Sequence, residues 1–460
     1  MRGHCSLEVI RPCNLRPKYP GIVNSIAIIW SQYGPYHFAR LSALRQLARP
    51  ISVHGVEMAD HTADYCWQRD STANSIVTLC PGALYEKLPF WTVFLRARRE
   101  LARLAVEVCF LPSYWPKQSL ATLLAAKSLG IRTVMMNESH AGTSRATGVA
   151  GRLKRRLVGL FDAALVGGAP HRRYFTTMGL PQTRVFTGYD AVDNEFFARK
   201  ADEVRSREVE ARRQWGLPDR YFLSLGRFVE KKNLSTLIRA YRLFLEANPE
   251  SNIHLVMVGS GEAESEVGKL AEGYELPVYD KKRAGREAAS FRCLKPGVHL
   301  YGFRQIDDNP VFYALAEAFI LPSLYEEWGL VVNEAMASGL PVIISQTAGC
   351  AEDLLEPADP WNKMTPTECA LLSNWDLLNK ARENGFVFDP KSSHELSRVL
   401  LWLEASPGCR RAMGQASRRI VQKFSCGNFA MNALLAANVA LTPKRSQETG
   451  SKPISAPVQA

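Results

Sequence analysis

The sequence predicts an α/β protein made of two doubly wound parallel sheets. Three observations predict it. Short β-rich apolar runs alternate with helix-period segments along most of the chain. The alternation breaks once, at a strongly charged stretch that can build no core strand. The length of 460 residues, with 46% apolar and 22% charged residues, is ordinary globular composition and suits two domains.

In chain order, residues 1–20 have little to bury and are expected to be disordered. Residues 21–197 form a first Rossmann-like domain, with strand candidates at 24–30, 76–79, 106–111, 131–136, 162–166 and 184–186. Residues 198–218 follow as a charged linker, read as a surface helix. Residues 219–424 form a second such domain, with strands at 221–225, 254–258, 318–321, 342–345 and 386–388. Two irregular excursions, 272–296 and 357–382, belong on its surface. A helix is expected within 425–442, and 443–460 reads as a disordered tail.

The ten cysteines form no CxxC and no Cys/His cluster, so they are read as reduced thiols without structural zinc. No apolar run reaches the ~20 residues of a membrane helix, and the N-terminus lacks a signal-peptide pattern. The expected location is cytoplasmic. Net charge is +12 and lopsided: residues 1–200 hold 26 Lys+Arg against 13 Asp+Glu, the rest 31 against 32. A basic first domain points to an anionic partner. Segments 94–103 and 151–160 are the densest, apolar and basic at helical spacing, which suits either a membrane surface or a solvated helix face. Nucleic acid is disfavoured, because the cations do not interleave with aromatics and no RNP or zinc pattern occurs.

In open parallel sheets, ligands bind beyond the carboxyl ends of the strands. Leu225-Gly-Arg-Phe-Val-Glu-Lys-Lys-Asn233 follows one strand and precedes an apolar-periodic helix for which Asn233 is a good N-cap. Gly226 permits a close turn, and Arg227 and Lys232 are spaced to bracket a diphosphate. After strand 318–321 come Glu326 in a loop and Glu334 in a helix that starts near Gly329. Amides of Gly329, Leu330 and Val331 at that start are anion donors, and the two carboxylates can accept hydroxyl hydrogen bonds. Sugar, diphosphate and ribose together match this set.

The string E-E-W-G-L-V-V-N-E-A-M-A-S-G-L-P-V-I resembles the E-x7-E segment of family 4 retaining glycosyltransferases (glycosyltransferase group 1 type), and G-R-F-V-E-K-K-N looks like their diphosphate loop. Val258-Gly-Ser-Gly-Glu262, Val298-His-Leu-Tyr-Gly302, Ala348-Gly-Cys-Ala-Glu-Asp353, Asn384-Gly-Phe-Val-Phe-Asp-Pro390 and Val192-Asp-Asn-Glu-Phe-Phe197 are similar to further family segments in the same order.

The resemblance spans about residues 160–440. It implies a GT-B fold, with a nucleotide-sugar donor (UDP- or GDP-sugar) on the C-terminal domain. The acceptor, a glycan or lipid-linked molecule, would lie on the N-terminal domain, and no metal or other cofactor would be obligatory. A final helix at about 428–440 would cross back to the first domain. Arg227 and Lys232 would hold the diphosphate, Glu334 the ribose, Glu326 the sugar, and the Leu330 and Val331 amides sugar or phosphate.

In the first domain only Gly34 stands where the family has a Gly-rich loop. His37, His140 and His171 each follow a strand, and the resemblance favours His140 as the group contacting the transferred sugar. Glu138 beside it could be a site acid, a helix cap or an ion-pair partner. A non-catalytic nucleotide-sugar-binding partner of an envelope complex and a GT-B epimerase are the competing readings.

Overall fold

The computed structural model describes residues 23–63, 75–144, 148–282, 295–357 and 378–443. The segment 1–20, all but the first residue of 443–460, and the middles of the two excursions (283–294 and 358–377) lie outside the described residues.

Strands β1 (Ser25–Trp30), β2 (Ser52–His61), β3 (Ile76–Leu84), β4 (Val108–Leu111), β5 (Arg132–Asn137), β6 (Ala163–Val166) and β7 (Val185–Phe186) make one sheet, in the order β3-β2-β1-β4-β5-β6-β7. All its pairings are parallel. Strands β8 (Tyr221–Leu225), β9 (His254–Val258), β10 (Val278–Asp280), β11 (Val298–Leu300), β12 (Ala318–Leu321), β13 (Val342–Ser345), β14 (Ala381–Arg382) and β15 (Gly385–Phe388) make the other, in the order β10-β11-β9-β8-β12-β13-β15-β14. Only β14 and β15 pair antiparallel.

Central strands such as β1 and β9 are buried along their whole length, as sheets covered by helices on both faces require. Strand order reverses between β1 and β4, and again between β8 and β12. The crevices at those switch points receive the loops after β1, β8 and β12, where the motifs lie.

The structure departs from the sequence expectation in three places. First, β2 was not anticipated, because its sequence SVHGVEMADH lacks an apolar run. Its Glu57 is buried yet satisfied, accepting from the Tyr33 amide at 3.0 Å and the Thr78 hydroxyl at 2.7 Å. The short strands β10, β11 and β14 were likewise missed.

Second, the charged stretch is not purely surface. It forms helices Asn194–Arg205 and Glu208–Trp215, and Phe197, Ala201 and Val204 enter the core cluster that contains Trp328 and Val332. The apolar stripe is narrow enough to be hidden among the charges.

Third, Asn233 sits at the start of helix Leu234–Ala247 but does not cap it with its side chain. Its amide instead donates to the carbonyls of Pro322 (3.0 Å) and Pro390 (2.7 Å), tying three loops together. Its backbone is left-handed at φ 53°, a conformation that asparagine tolerates better than most residues.

Helix Cys426–Leu441 packs on the first sheet, far in sequence from it. Phe429, Ala430, Ala433, Ala436, Ala437 and Ala440 pack into the cluster of Ile26, Ile28, Val134 and Leu165, where the small residues permit close approach. Its carboxyl end is held by the Arg184 guanidinium, which donates to the carbonyls of Val439 (3.0 Å) and Pro443 (2.7 Å). Among the described residues no helix is long and apolar enough to cross a membrane.

Candidate active site

Two loops of the second sheet meet at the switch point. After β8, Gly226 adopts φ 151° and donates to the Val258 carbonyl at 2.9 Å. Gly259, which follows β9, lies so close that a Cβ there would stand 1.8 Å from the Gly226 carbonyl oxygen. That contact gives a backbone reason for the Val258-Gly-Ser-Gly-Glu262 string. Arg227 is exposed at the loop tip and Lys232 turns back beneath it; both line a small cavity with Gly226, Ser224 and Phe228.

After β12, Glu326 is buried and receives the Lys232 ammonium, with Ser323 Oγ donating at 3.2 Å. Lys231, which sequence reasoning passed over, stands 3.5 Å from Glu326 and 2.7 Å from Glu327. Burial alone would raise the Glu326 carboxyl, but Lys232 and then Lys231 hold it below the usual range. The helix Leu330–Ala337 then begins with Gly329 at φ 106°. The Leu330 and Val331 amides belong to its first turn, whose N–H groups have no intrahelical partner.

Glu334, on that helix, is fully buried. It accepts from the hydroxyls of Tyr313 (3.0 Å) and Tyr36, the latter from the other domain, with Asn309 Nδ2 at 3.5 Å. Burial pushes its carboxyl up to about 7 against the pull of those hydrogen bonds. No local signal marked Tyr36, Tyr313 or Asn309, since their role arises only when distant segments meet. Trp328 anchors the loop from below, donating from Nε1 to Asn333 Oδ1 at 2.9 Å.

The first domain closes on this loop through histidines. His140 Nδ1 accepts from the Gly142 amide at 3.2 Å, so its Nε2 carries the proton and donates to the Glu326 carbonyl at 3.0 Å. His171 repeats the pattern, accepting from the Gly168 amide at 3.1 Å and donating to the Glu327 carbonyl at 2.9 Å. Both nitrogens of each ring are thus engaged.

Asp353 accepts from the Ala169 amide at 3.1 and 3.0 Å, capping helix Ala169–Thr177 from across the cleft. Beside it, Arg173 forks onto Glu352 at 2.7 and 2.5 Å. Gly34 is the N-cap of helix Pro35–Leu47, and its amide is taken by His37 Nδ1 at 3.0 Å, so it is not presented to a phosphate. His37 is half-buried against Trp30, and desolvation pushes it down to about 3, which keeps it neutral.

The structure therefore brings together Gly226, Arg227, Lys232, Glu326, Gly329, Leu330, Val331 and Glu334 around the second sheet's switch point, with His140 and His171 facing them. Gly34 and His37 serve the local fold of the first domain. A basic, donor-rich pocket thus lies beside two carboxylates at the second sheet's switch point, closed by a second Rossmann-like domain.

Comparison with known proteins finds likeness in part of the sequence and across the fold. Residues 219–374 match the family described as Glycosyl transferases group 1. The mannosylfructose-phosphate synthase of Agrobacterium fabrum is 30% identical over 162 residues, which are 35% of this chain and 32% of that protein. Among solved structures, a glycosyltransferase from Rickettsia africae superposes with a TM-score of 0.65 at 12% identity, over 92% of this chain and 100% of its own. The Anabaena protein HepE in complex with UDP and glucose gives 0.61 at 15% identity, over 89% and 98%. The chain spans about a third of the length of the curated relatives it matches first. The structures extend the likeness to the whole fold.

Proposed function

We propose that the chain is a retaining family 4 glycosyltransferase, moving a sugar from a UDP- or GDP-sugar to a hydroxyl of a glycan or lipid-linked acceptor. The observation that carries this reading is the Lys232–Glu326 contact at the mouth of the helix that bears Glu334. A donor laid along this line would set its diphosphate against Arg227, Lys232 and the amides of Leu330 and Val331. Its ribose would meet Glu334 and its sugar Glu326. HepE, solved in complex with UDP and glucose on a similar fold, supports the choice of donor class.

As the bond from the anomeric carbon to the diphosphate breaks, negative charge gathers on the departing phosphate. Arg227, Lys232 and the helix-start amides are placed to stabilise it. The acceptor hydroxyl attacks from the same face, and its proton passes to the departing phosphate oxygen, so configuration is retained. The histidine contacts hold the Glu326–Glu327 backbone against the first domain and would define the wall on which the sugar rests.

A UDP- and GDP-hexose panel read by thermal shift tests this reading. One donor should stabilise wild type as its concentration rises past Kd, and Arg227→Ala and Glu334→Ala should lose that shift. No shift with any nucleotide sugar would refute it.

We further propose that the enzyme works in the cytoplasm, at the inner face of a bacterial membrane, in cell-surface or exopolysaccharide synthesis. Helix Phe90–Arg103 exposes Trp91 and Leu95 among its arginines, and helix Gly148–Gly159 exposes Val149 and Leu153 beside a basic run. An apolar edge with cations around it suits an anionic lipid surface. Binding to anionic vesicles should fall as salt rises, and an absence of binding at low salt would refute it.

A further inference from the structure

Near the candidate site, one pair of acids has no place in the scheme above. Asp190 follows β7 and is completely buried, and neither of its oxygens receives a hydrogen bond from an N–H or O–H group among the described residues. Its cation is Arg40, whose Nη2 stands 4.0 Å away while Nε is committed to the Ala191 carbonyl at 2.9 Å. The carboxyl within hydrogen-bonding reach is that of Glu138, which lies just beyond β5, two residues before His140, and is partly exposed.

Two touching carboxyls, one of them fully buried, beside a single guanidinium at 4.0 Å favour the state in which the pair keeps one proton between them. Burial first, and then the neighbouring Glu138, push the Asp190 carboxyl up, with Arg40 opposing. His171 cannot supply that proton, because both its nitrogens are engaged and burial pushes it down to about 4. Across the cleft, Glu138 faces the charges of Glu326 and Glu327, and those two carboxylates already hold Lys231 and Lys232.

We propose that the Glu138–Asp190 pair, sharing one proton, seats an uncharged hydroxyl of the acceptor, and that the same carboxyls exclude a phosphate from this position. The proposal deepens the transferase reading and rests on it. A hydroxyl can donate to the Glu138 carboxyl and accept from the shared proton. A phosphate placed there would meet Glu138, Glu326 and Glu327, while the nearest cation, Arg40, is fully buried, with Nη2 beside Asp190 and Nε on the Ala191 carbonyl. The acceptor end that enters the cleft is therefore a neutral sugar or polyol and not a sugar phosphate. Glu138 touches the hydroxyl, and Asp190 acts through Glu138 as a positioning residue.

Infrared spectroscopy reads the pair directly. Wild type at neutral pH should show a protonated-carboxyl band that Glu138→Gln and Asp190→Asn both lose. The band should shift on adding glucose, mannose or glycerol and stay unmoved with glucose 6-phosphate. With the donor found by the panel, Glu138→Gln should slow donor hydrolysis by at least about tenfold, the worth of one hydrogen bond to a charged group, while the donor-induced thermal shift stays as in wild type.

The proposal is overturned if the band is absent, if glucose 6-phosphate moves it as the neutral probes do, or if Glu138→Gln hydrolyses donor at the wild-type rate. Failure of every donor to bind wild type overturns the transferase reading instead. The infrared arms then still decide whether the pair holds a proton and seats a hydroxyl.

Discussion

The two sheets share an architecture but place function differently. In the second, the candidate residues sit on two consecutive-sequence loops, 226–232 and 326–334, and their partners lie nearby in the same domain. In the first, the residues facing the cleft come from the ends of β1, β5, β6 and β7, and each acts through a long-range contact: Tyr36 to Glu334, His140 to Glu326, His171 to Glu327. A binding site for one chemically constant group can be written as a local string. The first domain's side of the cleft is assembled from scattered positions, and so are the contacts that close it.

The largest effect should fall on the local site. Lys232→Ala should lower kcat by about 10²–10³-fold, the usual worth of a donor aimed at developing charge. A loss no greater than that from a cross-cleft substitution would erase the contrast between the two halves.

Next comes the Glu334 pocket, where the halves meet. Its carboxyl is raised from 4.5 to about 7. The folded protein therefore holds a proton that the unfolded chain releases between those values. The associated stability is complete below about pH 4.5 and is lost as pH rises through about 7, by about 3 kcal/mol in all. Urea midpoints at several pH values should show this slope in wild type, and Glu334→Gln should flatten it. An unchanged slope would mean that the pocket is wetter than described.

Asp353→Ala should cost about 1 kcal/mol, since it removes a helix cap supplied from across the cleft. Arg173→Ala, which breaks an exposed pair, should cost at most about 1 kcal/mol and fade in high salt. If chemical denaturation shows Arg173 to matter more than Asp353, the closure is held at its rim.

The same contrast explains what the sequence could disclose. β8, β9, β12 and β13 begin and end where their apolar runs do, because strands buried on both faces must be apolar throughout. β2 escaped, because Glu57 and Gly55 break the pattern, and only Tyr33, Thr78 and Ile76, all outside the strand, make them fit. Gly226, Lys232, Glu326 and Glu334 were visible as strings with a chemical reason. Lys231, Tyr313, Asp190 and Asp353 were not assigned roles, because their meaning depends on which group faces them across tens or hundreds of residues. His140 was read as the group that contacts a transferred sugar; in this structure its Nε2 meets the Glu326 carbonyl.

The alanine-lined helix Cys426–Leu441 has a consequence for how the protein is made. It covers one face of the first sheet, and it emerges from the ribosome only after the entire second domain. Until then helix Pro35–Leu47 covers only part of the cluster of Ile26, Ile28, Val134 and Leu165, so the first domain must wait, incomplete and sticky, through the synthesis of its neighbour. A chain stopped before Cys426 should accumulate as aggregate, and co-expression of the missing segment as a separate peptide should restore solubility. Nascent-chain quality control therefore has its longest exposure at the first sheet.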